Sequence, residues 1–501
     1  MESDRQRRLT VGQATVATVG AQLAGAVATV AATPYLVREL GVAPYGILLA
    51  TIVLAGQLTP LQLGVPSATV RLLAAARGRG DPRGQAAILR SLVLLAAAVT
   101  VLAGLVFSGV APWVWRHSFG DSGELMLQAK AALPAAAALV MAQPLVAISQ
   151  AALMGEERFG AVSAIRAVHG IARIALTVAV VALGGGVAAA LWAQAGTDLV
   201  IAAAAAVGAR SRGRPAVGAG EVSAATRRLA VLGVPFAAGD GLSALLVDGE
   251  KLVLGMMRSA ADITYYLVPF NAALRLTVLT TALSSVLVPR ISATAAAGDR
   301  RAAGALIHRA NRLTAVAMTS VLAPLAALAP ELLTLWMGAD FAREAAPAAR
   351  IILVALFATT AANAAHAALR AVARPSLLTA LYAAELVVHA AVVLVSIRYW
   401  GIVGAALAWG IRATLDAVAQ RVLAARVLGA PIGPWHEFWV LQLALAGLTG
   451  GAAVLGASAP WPLRGLAAGL LALAAAVWLL DRNDRNLIAA SLRPWRSRAP
   501  A

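Results

Sequence analysis

The chain has 501 residues, 60% of them hydrophobic and 13% charged, with 41 Lys and Arg against 23 Asp and Glu and a formal net charge of +18. A mean hydropathy of +0.79 lies outside the range of water-soluble folds, so the bilayer is the solvent this sequence must satisfy and a soluble catalytic domain has no room in it. Cysteine is absent and none of the six histidines stands in a zinc-type motif, which argues against thiol and zinc chemistry; no catalytic residue, metal or cofactor is expected.

A helix of about 20 apolar residues crosses a hydrocarbon core of about 30 Å. Runs of that kind recur along the chain, at about 11–33, 45–70, 86–112, 131–154, 160–183, 187–209, 229–250, 263–289, 313–335, 345–369, 376–397, 402–425, 437–456 and 461–480. The expected fold is an all-α polytopic membrane protein of about fourteen transmembrane helices. The start at 1–10 is charged, and the apolar run after it is longer than the core of a signal peptide and lacks a cleavage site, so it counts as the first helix. With the N-terminus inside, 29 of the 41 basic residues fall in inside segments and 9 in outside ones, while Arg173, Arg275 and Arg412 lie within spans. That split orients both termini toward the cytoplasm, with the chain in the cell's inner membrane. Arg-rich stretches such as Arg210-Ser-Arg-Gly-Arg214 recur at alternate loops, the pattern of topogenic charge facing anionic lipid and not of a nucleic-acid interface.

Sliding the chain along itself brings two halves into register. At an offset of 218, Gly80-Asp81-Pro82-Arg83 meets Gly298-Asp299-Arg300-Arg301, Ala111-Pro112 meets Ala329-Pro330, and Gly120 meets Gly338. At 216, Arg158 meets Arg374, His169 meets Glu385, Arg173 meets His389, and Val187-Ala-Ala-Ala-Leu191 meets Val403-Gly-Ala-Ala-Leu407. These matches divide the chain into a cytoplasmic tail at 1–10, a six-helix lobe at 11–210, a cytoplasmic linker at 211–228 and a second six-helix lobe at 229–428. Two additional helices at 437–480 and a basic cytoplasmic tail at 481–501 follow. An even number of spans per unit makes the two lobes face the same way, pseudo-symmetric about an axis along the membrane normal, with a cleft between them.

A charge near the middle of a span costs roughly 2.5–3.5 kcal/mol on insertion scales, so each one needs a partner, a cavity or a task. Asp240 falls about halfway along the seventh span, and Asn271 and Arg275 about halfway along the eighth. Arg275 suits an anionic phosphate, and Asp240 is either its counter-ion or a proton or sodium site. Asp248 lies nearer the outer end. Arg173 with Asp198, Arg412 with Asp416, and Glu385 with His389 serve either as ion pairs that hold helices together or in coupling. His169 is expected as a satisfied polar residue. Pro34, Gly64, Pro66, Gly233, Pro235 and Pro289 punctuate the opening spans of both units, as helix ends and kinks or as bending points.

Several stretches carry a family resemblance that covers roughly residues 11–430. Pro34-Tyr-Leu-Val-Arg-Glu-Leu-Gly-Val-Ala-Pro-Tyr-Gly46, Leu63-Gly-Val-Pro-Ser-Ala-Thr-Val-Arg71, Val247-Asp248-Gly-Glu-Lys-Leu-Val-Leu-Gly255, Leu328-Ala-Pro-Glu-Leu-Leu-Thr-Leu-Trp-Met-Gly338 and Gly401-Ile-Val-Gly-Ala-Ala-Leu-Ala408 follow in order. In these the chain resembles the multidrug/oligosaccharidyl-lipid/polysaccharide flippase superfamily, and specifically its polysaccharide-transport branch. The resemblance implies a V-shaped bundle of two lobes with helices one, two, seven and eight around a central cavity, where Asp240 and Arg275 would meet substrate. It also implies that the last two helices, 437–480, hold lipid tail, with packing or assembly as the alternative. The first helix has no midspan charge, which sets the chain apart from the cationic cavities of lipid II flippases.

The expected function is translocation of a polyprenyl-pyrophosphate-linked oligosaccharide, a surface-polysaccharide precursor, across the cytoplasmic membrane by alternating access, with no bond broken. Partners implied are that lipid-linked oligosaccharide, membrane lipids, and a polysaccharide polymerase and glycosyltransferases. The alternatives are a drug/cation antiporter of the same superfamily and a lipid II flippase. An integral-membrane glycosyltransferase would need an acidic motif and a sizeable outer loop, whereas the longest outer loop, about 113–130, carries only Asp121 and Glu124 as acids.

Overall fold

The computed structural model describes residues 20, 24–62, 64–119, 123–209, 215–278, 280, 291, 293–294, 297–361, 363–372, 375–455 and 460–480. All regular structure among these residues is helical, as the composition implies. Among the described residues eight helices are long and apolar enough to cross a bilayer, or ten if each of two bent pairs is one span, of the fourteen expected for the whole chain. The chain forms two compact units, one from Met1–Arg275 with Thr379–Ala405 and the other from Leu276–Leu378 with Ala406–Ala501.

The first unit opens with α1 (24–40), α2 (Val42–Gln57), a 3-10 turn (Thr59–Gln62) and α3 (Val65–Gly78). The predicted continuous span at 45–70 is in fact broken, with α2 and the segment Thr59–Gly78 bent by 40°. Pro60 and Pro66 have no N–H to give to the preceding turn, and Gly64 takes a left-handed φ of 62° that starts a new helix. There follow α4 (Pro82–Phe119), α5 (Glu124–Gly155), α6 (Phe159–Ala182), α7 (Val187–Ala209), α8 (Ala219–Met257) and α9 (Ala260–Arg275). The N-terminus of α4 is capped by Asp81, whose Oδ1 accepts the Gly84 N–H at 2.8 Å after Gly80 turns the chain with φ 63°. Small residues let these helices close up. Ala129, Ala132, Ala135, Ala136 and Ala142 of α5 and Ala190 and Ala205 of α7 are fully buried, and a Cβ on Gly46 of α2 would stand 2.0 Å from the Ala260 carbonyl oxygen of α9.

The second unit contains α10 (Arg300–Ala327), α11 (Ala329–Met337), α12 (Ala339–Ala361), α13 (Asn363–Val372), the later part of α14 (Pro375–Leu428), α15 (Trp435–Leu455) and α16 (Trp461–Leu479). The span expected at 313–335 bends by 72° between α10 and α11, where Pro330 cannot donate back along the helix. Asp299 caps α10 as Asp81 caps α4: its Oδ1 accepts the Ala302 N–H at 3.0 Å, after Gly298 at φ 82°. Ala303, Ile307, Leu369, Ala424 and Leu428 form part of the apolar core, and Arg464 of α16 pairs with Glu331 of α11. Helix α14 turns back at Gly401 (φ 56°, ψ −128°), so tightly that a Cβ on Gly404 would meet the Ser396 carbonyl oxygen at 1.9 Å. The turn frees carbonyls at the end of the first arm, and the Arg258 Nη2 donates to those of Ile397 and Arg398 at 2.8 and 3.0 Å.

Candidate functional site

Helix α6 carries Arg166, His169 and Arg173 at spacings of three and four, which aligns them on one face. Facing them in the first unit are Gln150 of α5 and Gln194 and Asp198 of α7. The Arg166 Nε donates to Gln150 Oε1 at 2.9 Å, and its Nη2 stands 3.8 Å from the Met154 sulfur. The His169 Nε2 lies 2.7 Å from Asp198 Oδ1. Arg173 forks onto Gln194 Oε1 through Nε at 3.0 Å and Nη2 at 2.7 Å, leaving its Nη1 3.9 Å from the same Asp198 oxygen. Asp198 is almost wholly buried, with a side chain only 2% exposed, so the imidazole and guanidinium beside it are what make a carboxylate tolerable there.

All of these side chains but Gln194 line a cavity of about 480 Å³. The far wall is built by the break after α2: Gln62 from the 3-10 turn and Ser67 and Val70 from α3 face in, with Gln143, Gln150 and Met154 on α5. Two guanidinium groups face one carboxylate, so the lining carries surplus positive charge whether or not His169 is protonated. Carboxamides and a hydroxyl add donors and acceptors in fixed places. Such a chamber holds an anion with hydroxyl-rich surroundings better than it holds a cation.

A second buried polar cluster belongs to the same unit. Glu250 of α8 is fully buried, with Tyr266 Oη 3.4 Å from its Oε1 and His389 Nε2 3.7 Å from its Oε2. Next to it Lys251 pairs with Asp248, donates to the Val247 carbonyl at 3.0 Å and sits 4.0 Å above the centre of the Phe270 ring. Among the described residues no three His, Asp or Glu side chains come together as metal ligands.

The structure brings together some of the residues singled out from sequence and separates others. Arg173 and Asp198 line the chamber, with His169 closer to the carboxylate than Arg173 is. Asn271 and Arg275 lie one turn apart at the end of α9, both exposed and outside the chamber lining. Asp240 is in α8, but its side chain lies outside the described residues. Asp248 is in the ion pair with Lys251. Glu385 stands one turn before His389 on α14, and His389 meets Glu250. Further along α14, Asp416 Oδ1 accepts the Gln420 amide at 2.6 Å, and Arg412 lies one turn before it. Sequence reasoning missed Arg166, Gln62, Gln143, Gln150, Gln194 and Glu250.

The fold is that of transporters of the multidrug/oligosaccharidyl-lipid/polysaccharide class. The chain superposes on lipid II flippase MurJ in an inward closed conformation with a TM-score of 0.71, at 13% identity, over 95% of this chain and 99% of that one. An inward-facing multidrug resistance MATE transporter matches with a TM-score of 0.65 at 15% identity, over 82% and 98%. A transporter of the same superfamily from Pyrococcus furiosus matches at 0.60 and 15% identity, over 83% and 95%. Residues 11–295 match the family described as polysaccharide biosynthesis protein, more than half the chain, and the chain belongs to that family. A Shigella flexneri protein described as a putative O-antigen transporter is 21% identical over 186 residues, which is 37% of this chain and 44% of that protein's length. The protein is thus a multi-pass membrane protein of that family, with the fold of known flippases and transporters.

Proposed function

We propose that the protein translocates a polyprenyl-pyrophosphate-linked oligosaccharide across the cytoplasmic membrane by alternating access, as a flippase for a surface-polysaccharide precursor. The observation that carries this reading is the chamber lined by Arg166, Arg173, His169, Asp198 and the surrounding glutamines. A pyrophosphate and its sugars would lose their hydration in the hydrocarbon layer, and fixed guanidinium and amide groups replace it. The polyprenyl tail stays in lipid throughout. No bond is made or broken in this scheme.

Asn271 and Arg275, exposed one turn apart on α9, would add an amide and a second cationic contact, with Asp240 and Asp248 as further candidates. The Gly-Asp caps of α4 and α10 support a duplicated six-helix unit, since equivalent sequence makes the same turn in both places. The arginine distribution supports cytoplasmic termini. A polymerase and glycosyltransferases acting on the same saccharide are the proposed partners.

The test is surface-polysaccharide export in cells that carry Arg166→Gln or Arg173→Gln, with membrane abundance measured alongside. Export should fall at unchanged abundance. Unchanged export in both variants would remove the chamber from the account. Energised efflux of organic cations by the wild-type protein would instead favour the antiporter reading, which the surplus positive charge opposes.

A further inference from the structure

A smaller pocket lies at the opposite end of α4 and α5 from the arginine cluster at 71–90. It has a volume of about 200 Å³ and is lined by Pro112, Trp115 and Arg116 of α4 and by Met126, Lys130 and Leu133 of α5. Each set follows helical spacing, so one face of each helix forms one wall. From Pro82 to Trp115 the helix rises about 50 Å at 1.5 Å per residue, more than the hydrocarbon thickness of about 30 Å, which sets this pocket at headgroup depth on the far face.

Among the described residues the lining offers donors and no carboxylate. Lys130 supplies an ammonium and Arg116 a guanidinium. Trp115 is about 1% exposed, packed edge-on against Phe107 with ring centres 6.2 Å apart, and its indole N–H has no acceptor. A buried N–H is ordinarily hydrogen-bonded, so an acceptor is what this site lacks. Beside the pocket the surface is apolar: Val110, Trp113 and Leu127 are exposed. A pocket with an exposed ammonium and a buried, unsatisfied indole N–H, flanked by apolar surface, matches an oxyanion attached to hydrocarbon.

We infer that this pocket binds a phosphate oxyanion, with an anionic phospholipid headgroup or free phosphate as its source. The site is separate from the chamber and does not depend on the proposed cargo. The Lys130 ammonium and the Arg116 guanidinium draw the anion in, and the Trp115 N–H fixes one oxygen.

Native mass spectrometry of the purified full-length protein tests this, with phosphatidylglycerol, phosphatidylcholine and inorganic phosphate as separate probes. Phosphatidylglycerol should bind more tightly than phosphatidylcholine, and Lys130→Gln should weaken it by about tenfold, the value of one charge-assisted hydrogen bond. Trp115→Phe keeps the ring and removes the N–H, and should weaken it less. Binding of inorganic phosphate that Lys130→Gln abolishes, with no preference for phosphatidylglycerol, supports the oxyanion site and assigns it to free phosphate. If neither probe distinguishes the wild type from Lys130→Gln, a variant at an exposed position that leaves the fold intact, the inference is overturned.

Discussion

The two compact units spend their charged side chains differently. In the first, arginine and histidine at mid-helix reach sideways to other side chains: Arg166 to Gln150, His169 to Asp198, Arg173 to Gln194. A cavity opens where they meet. In the second, arginines reach backbone carbonyls of neighbouring segments instead. The Arg421 Nη2 donates to the carbonyls of Gly433 and Pro434 at 3.4 Å and its guanidinium stacks 5.1 Å from the Trp435 ring, while Arg350 donates to the Ala452 carbonyl at 3.3 Å. Arg464 closes onto Glu331. The same side chain therefore does two jobs, and the groups that face it decide which. A guanidinium near carbonyls that a helix end or a loop leaves without a partner satisfies those, whereas one that faces side chains of another helix pairs with them.

This contrast makes ordered predictions. Charge reversal in the chamber should have the largest effect: Arg173→Glu should lower export by about a hundredfold, since upsetting a desolvated charge pair costs roughly 2–5 kcal/mol. Export per folded molecule, with abundance from membrane immunoblots, checks it. Next comes Arg421→Gln, which should lower the Tm of the purified protein through a loss of about 1–3 kcal/mol while transport per folded molecule stays near wild type. Equal damage to transport by both variants would erase the distinction between the units. Gln150→Leu removes the acceptor for Arg166 at similar volume and should reduce export about tenfold with little change in abundance. Glu331→Gln should cost about 1 kcal/mol of stability or less, with a correspondingly small fall in Tm, because that carboxylate is partly solvated. Leu183→Ala, at an exposed apolar position, should change neither.

The sequence carried the fold class plainly, because a helix in lipid must be long and apolar whatever it packs against. Its interruptions were harder. Gly64 and Pro66 stood out as punctuation, yet the bend after α2 depends on a left-handed turn that hydropathy averages away. The bend at Leu328 looked like part of a continuous span for the same reason. Arg173 and Asp198 were visible because a charge in an apolar run is conspicuous. Arg166 was not, since it lies near enough to the start of α6 to be counted with the loop. The glutamines were invisible in another way: a neutral amide disturbs an apolar span little, and only packing reveals that four of them converge. His169 illustrates the remaining gap, because which base sits nearest Asp198 is set by the pitch of α6 against α7.

The central claim is that the chamber in the first unit receives the anionic head of a lipid-linked saccharide. The chain has no cysteine, so a single introduced thiol reports without background. Ser67 is exposed to the chamber and Ser67→Cys is nearly isosteric. Labelling of that variant by an anionic, membrane-impermeant thiol reagent can be measured in inverted vesicles with and without accumulated lipid-linked saccharide. The account predicts labelling that slows when the saccharide accumulates and returns when Arg173 is also replaced by Gln. Labelling at the same rate under all three conditions would contradict it.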